Sequence, residues 1–249
     1  MADFVLIPGP MVGAEVMRPT AEALRKQGHG AQVPDVWRAA DDFPPWREWP
    51  QRVAAEVDGD GPFIVVGHSA STVVAAALSK MGNVTATILM DGFIPPPDGS
   101  VAPADGALLD LIRTLPSDNG ILAPWDEWWQ TPANRETVGV TALEAAPELH
   151  REFMSGLPRL PANWFDDVIR LPNWRGKPAG YIQTSKYFEY SAIVAERLGW
   201  PLERLAGTHL HPMLAPEETA SAIEAILEAF VRADAKFDAS CDSLSARIN

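Results

Sequence analysis

The stretch "PFIVVGHSAS" (Pro62–Ser71) decides how the rest of the sequence is interpreted. A short β-branched run ends at Gly67, and His68 and Ser69 follow it just before an alanine-rich segment. A strand, a sharp turn and a helix in this order are typical of the Gly-x-Ser-x-Gly turn, which exposes a serine hydroxyl above a parallel sheet. We therefore predict that Ser69 is a nucleophile. The competing interpretation is a serine that caps an apolar helix.

Small residues are required two positions before and two positions after the serine, because the turn brings the strand and helix backbones together. Gly67 meets this requirement, and Ser71 stands where a second glycine usually lies. His68 is expected to point away from Ser69 and to contact substrate.

The segments around this turn predict an α/β fold. Apolar runs bounded by turn residues indicate buried strands at "FVLIPG", "FIVVG", "TATILMDG" and "PAGYIQTS". Helical spacing is found between and after them, in "MRPTAEALRKQGHG", "TVVAAALSKMG" and "PEETASAIEAILEAFVRADAKF". This alternation favours a mostly parallel sheet flanked by helices, with right-handed crossovers.

Residues 95–175 break the alternation and are predicted to form a helical cap over one end of the sheet. The expected core comprises residues 1–94 and 176–237, followed by a polar tail over 238–249. Five of the nine tryptophans lie in the cap. We expect three of them to contact an apolar substrate, namely Trp125, Trp128 and Trp129.

A serine nucleophile needs a base to take its proton, and in folds with this turn the base comes late in the chain. Of the five histidines, His209 and His211 lie in the late segment "LAGTHLHPMLAPEE". A carboxylate should hold the imidazole. Asp91 and Glu189 are the candidates, because each follows a predicted strand.

The order of strand, "GHSAS" turn, helical cap and late "GTHLHPMLAPEE" loop resembles the α/β-hydrolase superfamily, and the resemblance extends to about Val231. It implies an α/β-hydrolase fold with the base at His209, which follows Gly207 at the spacing of the family's loop. His211 is the alternative base and otherwise a wall of the substrate pocket.

For the acid, the resemblance implies two positions. Most members carry it after the strand that here reads "PAGYIQTS", which would make it Glu189, but this segment lacks the usual Gly-x-x-Asp. Some branches carry it after the preceding strand, which ends here at Asp91. We predict Asp91, with Glu189 as the alternative.

Acyl transfer also requires two backbone N–H groups that face the developing oxyanion. The resemblance implies that Ala70 supplies one and that the loop "IPGPMVGA" after the first strand supplies the other. Pro10 falls at or next to the donor position and has no N–H. We therefore expect Met11 to be the donor, with Pro10 beside the substrate; otherwise the site lacks one donor.

Composition narrows the classes of function. With 33 acidic and 20 basic residues the net charge is −13, which argues against nucleic acid or an anionic membrane surface as a partner. The single cysteine, Cys241, leaves no internal disulfide and no cysteine-built metal site. No phosphate-cradling loop or metal-ligand spacing occurs, so we expect no cofactor. The N-terminus has no signal-peptide pattern, and we expect a cytoplasmic protein.

Together these observations predict a serine hydrolase that cleaves an ester, lactone or thioester of an apolar small molecule. An alternative keeps the fold and uses His209 as a general base in lyase, cyclase or C–C bond chemistry. A third interpretation is a ligand-binding protein without turnover.

Overall fold

A computed structural model describes residues 1–38, 43–104 and 106–248, with side chains described up to residue 233. The strands in these residues are β1 (Asp3–Ile7), β2 (Gly30–Gln32), β3 (Phe63–His68), β4 (Val84–Met90), β5 (Gly99–Val101), β6 (Ser117–Asp118), β7 (Ile121–Leu122), β8 (Ile169–Leu171), β9 (Ala179–Gln183) and β10 (Leu202–Arg204). The α-helices are α1 (Arg18–Lys26), α2 (Trp49–Ala55), α3 (Ser71–Leu78), α4 (Gly106–Thr114), α5 (Pro132–Val138), α6 (Val140–Glu144), α7 (Pro147–Gly156), α8 (Glu189–Arg197), α9 (His211–Leu214) and α10 (Pro216–Ile248). Short 3-10 turns lie at Ala14–Val16, Trp46–Glu48, Trp125–Trp128, Ala162–Asp166 and Lys186–Phe188.

The main sheet of the described residues has six strands in the order β10-β9-β4-β3-β1-β2, and every neighbouring pair is parallel. The predicted α/β fold with a parallel sheet is therefore confirmed. The chain leaves β1 toward one edge and β3 toward the other, so the loops after these two strands flank a crevice at the carboxyl edge. Ligands of open α/β sheets bind at such a point.

Both faces of the sheet are buried, which explains why its central strands are almost continuously apolar. On one face, Phe4 and Leu6 of β1 belong to the core formed with α1 and α10. On the other face, Val5 and Ile7 belong to the core formed with α2, α3 and α8. A parallel strand that alternates between two apolar cores needs no polar position.

The sequence predicts β1, β3, β4 and β9 and the helices α1, α3 and α10, which the structure contains. It misses the short edge strand β2 and the helices α2 and α8. Helix α10 continues to Ile248, through most of the segment expected to be a polar tail, whose side chains lie outside the described residues. Within the described part of the chain, no helix is long and apolar enough to cross a membrane.

Residues 95–175 lie between β4 and β9 and contain α4 to α7 with two small antiparallel strand pairs. Their Trp164 joins a cluster of rings with Trp37, Trp46 and Trp49 of the core, with ring centroids 5.4–6.1 Å apart. The Trp164 indole also donates to the Pro44 carbonyl at 3.0 Å. These contacts hold one side of residues 95–175 against the sheet domain.

Gly67 lies where β3 and α3 approach most closely. A Cβ atom at Gly67 would lie 2.3 Å from the Ser71 carbonyl oxygen and 2.8 Å from the Ala75 Cβ, so any side chain would force the strand and the helix apart. This contact explains why the turn requires a glycine before the serine.

We predict that Gly67→Ala lowers the free energy of unfolding by about 1–3 kcal/mol or more, because overpacking at this site must displace backbone. Gly82→Ala is the matched control, since a Cβ there meets no atom within 4 Å. It should change stability by less than about 0.5 kcal/mol. Urea unfolding of both variants measures the difference, and equal losses would show that the close approach carries no cost.

Candidate active site

Ser69 occupies the turn between β3 and α3 in a backbone conformation that a serine rarely adopts. Its φ is +58°, and its amide donates to the Met90 carbonyl at 2.9 Å. Among the described residues only Ser69, Asp91 and Asn119 are non-glycine residues with positive φ. Such strained conformations concentrate at functional sites.

A chain of two hydrogen bonds joins Ser69, His209 and Asp91. The Ser69 Oγ lies 3.0 Å from His209 Nε2, and His209 Nδ1 lies 2.7 Å from Asp91 Oδ2. Because the carboxylate accepts, Nδ1 carries the proton and Nε2 is left to accept the serine proton. The structure therefore brings together the three residues predicted as nucleophile, base and acid.

Asp91 is fully buried, and its second carboxylate oxygen is held by backbone. Oδ1 accepts hydrogen bonds from the amides of Thr184 at 2.9 Å and Ser185 at 2.7 Å, just after β9. Burial by itself raises the pKa of Asp91, but the hydrogen bond and charge of His209 and the hydrogen bonds from Ser185 hold the pKa below its usual value. The carboxylate is thus ionised at neutral pH.

The alternative acid and base lie elsewhere. Glu189 is exposed at the first position of α8 and is not part of the hydrogen-bond chain. The His211 ring packs against Gly207, and its Nε2 lies 3.2 Å from the Glu218 carboxylate. Contrary to the sequence-based expectation, His211 does not line the cavity beside Ser69.

The loop that carries His209 is held from three sides. The amides of His209 and Leu210 donate to the carbonyls of Thr137 and Val138 at the end of α5, at 3.2 and 3.1 Å. On another side, the Thr184 hydroxyl donates to the Thr208 carbonyl at 2.8 Å. The His209 carbonyl accepts from His68 Nε2 at 3.0 Å. The imidazole is therefore positioned before any substrate binds.

His68 supports His209 rather than substrate, contrary to our expectation. Its ring is completely buried and stacks on the His209 ring with centroids 4.6 Å apart. Burial, followed by the neighbouring His209, lowers the pKa of His68 to about 3. His68 is therefore neutral and donates from Nε2.

The loop after β1 lies against Ser69. The Gly9 carbonyl accepts from the amides of Val12 and Gly13 at 3.1 and 3.3 Å, which closes a tight turn around Pro10 and Met11. A Cβ on Gly9 would lie 3.0 Å from the Ser69 Cβ. Within the described residues the amides of Met11 and Ala70 have no hydrogen-bond partner.

A narrow cavity opens over Ser69 and His209 with about 30 Å³ of space, which is room for about two water molecules. Of the residues predicted to contact substrate, Trp125 and Trp129 line it, and so does Met11, which was predicted as an oxyanion donor. Four further lining residues were not predicted from the sequence: Leu108, Val138, Tyr187 and Phe188. Tyr187 and Phe188 come shortly after the predicted strand "PAGYIQTS". Their position after a strand end was the signal that could have placed them at the site.

Trp128 and Pro10 do not line this cavity, contrary to expectation. The Trp128 indole donates to the Ala123 carbonyl at 2.8 Å, and its ring packs near Phe165. The Pro10 carbonyl instead accepts from the Trp37 indole at 2.6 Å. No group of three or more metal-ligating side chains occurs among the residues that the structure describes.

A family model described as the alpha/beta hydrolase family matches residues 5–222. The chain belongs to this family. No curated protein matches this alpha/beta hydrolase in sequence. Among solved structures, it is similar to an extracellular α/β-hydrolase from a Paenibacillus species, with 18% identity and a TM-score of 0.65 over 90% of this chain and 98% of the other.

Two other solved structures share the fold of this alpha/beta hydrolase. One is tomato methylketone synthase I in complex with 2-tridecanone, with 13% identity and a TM-score of 0.69 over 92% of this chain and 98% of the other. The other is polyneuridine aldehyde esterase, with 15% identity and a TM-score of 0.66 over 91% of this chain and 99% of the other.

We predict that His68 makes the stability of this alpha/beta hydrolase depend on pH. Its folded pKa of about 3 lies below the unfolded value of 6.5, so the unfolded chain binds more protons between these values. The free energy of unfolding should therefore fall as pH decreases below 6.5, by up to about 1.4 kcal/mol per pH unit from this group.

In His68→Gln, which keeps a neutral donor, this contribution should disappear. Urea unfolding at pH 7.5, 6.0 and 5.0 measures the slope for both proteins. Identical slopes in the wild type and the variant would contradict the assignment of a neutral, buried His68.

Proposed function

We propose that this chain is a serine hydrolase that cleaves an ester, lactone or thioester of a small apolar molecule. The continuous hydrogen-bond chain from Ser69 Oγ through His209 to the buried Asp91 carries the proposal. A serine becomes a useful nucleophile when an adjacent base accepts its proton and a third group orients that base. The 3.0 and 2.7 Å contacts meet both conditions.

In the proposed reaction, Ser69 Oγ attacks the substrate carbonyl carbon while His209 Nε2 takes the hydroxyl proton. The imidazolium that forms is stabilised by the ionised Asp91, which does not itself take up the proton. His209 then gives this proton to the leaving group, and an acyl-enzyme remains. Water, activated by the same histidine, releases the acid and restores Ser69.

The tetrahedral intermediates carry a negative oxygen that needs two donors. The partnerless amides of Ala70 and Met11 support their assignment as these donors, because Ala70 follows the nucleophile and Met11 lines the same cavity. The lack of an N–H group at Pro10 then costs the site no donor. The next amide along the chain is that of Met11, which lies inside the tight turn closed by the Gly9 carbonyl.

The cavity lining supports a neutral, apolar acyl group. Apart from Ser69 and His209, the described residues that line it are aliphatic, thioether or aromatic, and none is charged. The rings of Trp125 and Phe188 lie near the His209 ring, with centroids 6.2 and 5.6 Å away. An acyl chain larger than the present space requires these side chains to move.

We predict that Ser69 is covalently modified by a fluorophosphonate probe, because its hydroxyl faces a base in an apolar cavity. Intact-protein mass spectrometry should show one adduct on the wild type and none on Ser69→Ala. If folded wild type remains unlabelled while His209→Ala abolishes an activity that Ser69→Ala retains, proton-transfer chemistry with His209 as base replaces hydrolysis.

The acid and the base have matched controls in this chain. His209→Ala should lower kcat for p-nitrophenyl acetate by about 1000-fold or more, and Asp91→Asn by at least about 100-fold. His211→Ala and Glu189→Gln should leave kcat within about threefold, since neither residue lies in the hydrogen-bond chain. A larger loss in either control than in its partner would assign the role to the other residue.

A further inference from the structure

Trp37 makes a hydrogen bond to the loop beside the nucleophile although it lies outside the cavity. Its indole Nε1 donates to the Pro10 carbonyl at 2.6 Å. The ring is held by edge contacts with Phe43 and Trp49, at centroid distances of 5.3 and 5.1 Å. This donor is thus fixed by the aromatic cluster that joins the cap and the core.

The Pro10 carbonyl and the Met11 amide belong to one peptide group. A trans peptide is planar, so its C=O and N–H point in opposite directions. The indole that binds the carbonyl therefore also fixes the direction of the Met11 N–H, which points away from Trp37. Met11 lines the cavity over Ser69, whereas Trp37 does not.

The other anchors of this loop act on neighbouring peptide groups. The buried Ser71 hydroxyl donates to the Pro8 carbonyl at 2.6 Å, and the Gly9 carbonyl closes the local turn. Neither contact sets the rotation of the peptide between Pro10 and Met11. In the described residues, the Trp37 indole is the group bonded to that peptide.

We propose that Trp37 is a positioning residue for the oxyanion: it aims the Met11 N–H at the oxygen that becomes negative when Ser69 attacks. The inference rests on the proposed serine hydrolase function. Donation to the carbonyl also polarises the peptide, because hydrogen bonds in a chain strengthen one another. The Met11 N–H becomes a stronger donor when the Pro10 oxygen is bonded.

The test compares Trp37→Phe with Trp46→Phe. Both tryptophans belong to the same ring cluster and both indoles donate to a backbone carbonyl, but Trp46 bonds to Val101, at 3.2 Å, in the cap. With p-nitrophenyl acetate, Trp37→Phe should lower kcat by about 10–100-fold and change KM by less than about threefold. Inhibition by phenylboronic acid, which forms a tetrahedral adduct on serine, should weaken by a similar factor.

Trp46→Phe should lower the melting temperature at least as much as Trp37→Phe does, while leaving kcat within about threefold of the wild type. Equal kcat losses in the two variants would overturn the proposal, since they would reflect the ring cluster alone. A wild type without Ser69-dependent hydrolysis and without a boronate adduct would overturn the proposed function as well.

A measurement on the wild type covers the case in which Trp37→Phe does not fold. When phenylboronic acid forms its adduct, the indole proton of Trp37 should move downfield in the NMR spectrum, because the bonded oxyanion polarises the shared peptide. The Trp46 indole proton should stay in place. An adduct that leaves the Trp37 signal unmoved would refute the coupling.

Discussion

The site depends on three close backbone approaches at Ser69 or at the helix turn that follows it, and a glycine allows each of them. A Cβ at Gly92 would lie 2.1 Å from the Ser69 carbonyl oxygen, and one at Gly9 would lie 3.0 Å from the Ser69 Cβ. Gly67 makes the equivalent approach to the first turn of α3. Because these glycines end or follow β1, β3 and β4, the parallel sheet brings Ser69, the loop after β1 and Asp91 to one place.

Residues 95–175 contact the loop that carries His209 directly. Helix α5 ends at Val138, and its last carbonyls have no partner within the helix. Thr137 and Val138 use these carbonyls to accept the amides of His209 and Leu210. If α5 moved away, the loop that carries His209 would lose two hydrogen bonds. Enlargement of the cavity is therefore more compatible with movement of the side chains of Trp125 and Phe188 than with movement of α5.

The features that could be predicted from the sequence are those that depend on residues close together in the chain. Alternating apolar strands and helices predicted the sheet, and the residues around Ser69 predicted its sharp turn. It could not separate Trp125, which lines the cavity, from Trp128, whose ring packs near Phe165, because the two residues are identical in type and only tertiary packing distinguishes them. The bond from Trp37 to Pro10 spans 27 residues and leaves no local signature.

The position of Asp91 follows from the register of two neighbouring strands. Met90 of β4 pairs with Ile182 of β9, so Asp91 lies beside the end of β9 although it follows β4. The amides of Thr184 and Ser185, which follow β9, donate hydrogen bonds to its carboxylate. Glu189 comes only after a further turn and is exposed on α8. The end of β9 thus binds Asp91, which follows the neighbouring strand β4, through two backbone amides. This contact does not depend on the side chains that follow β9.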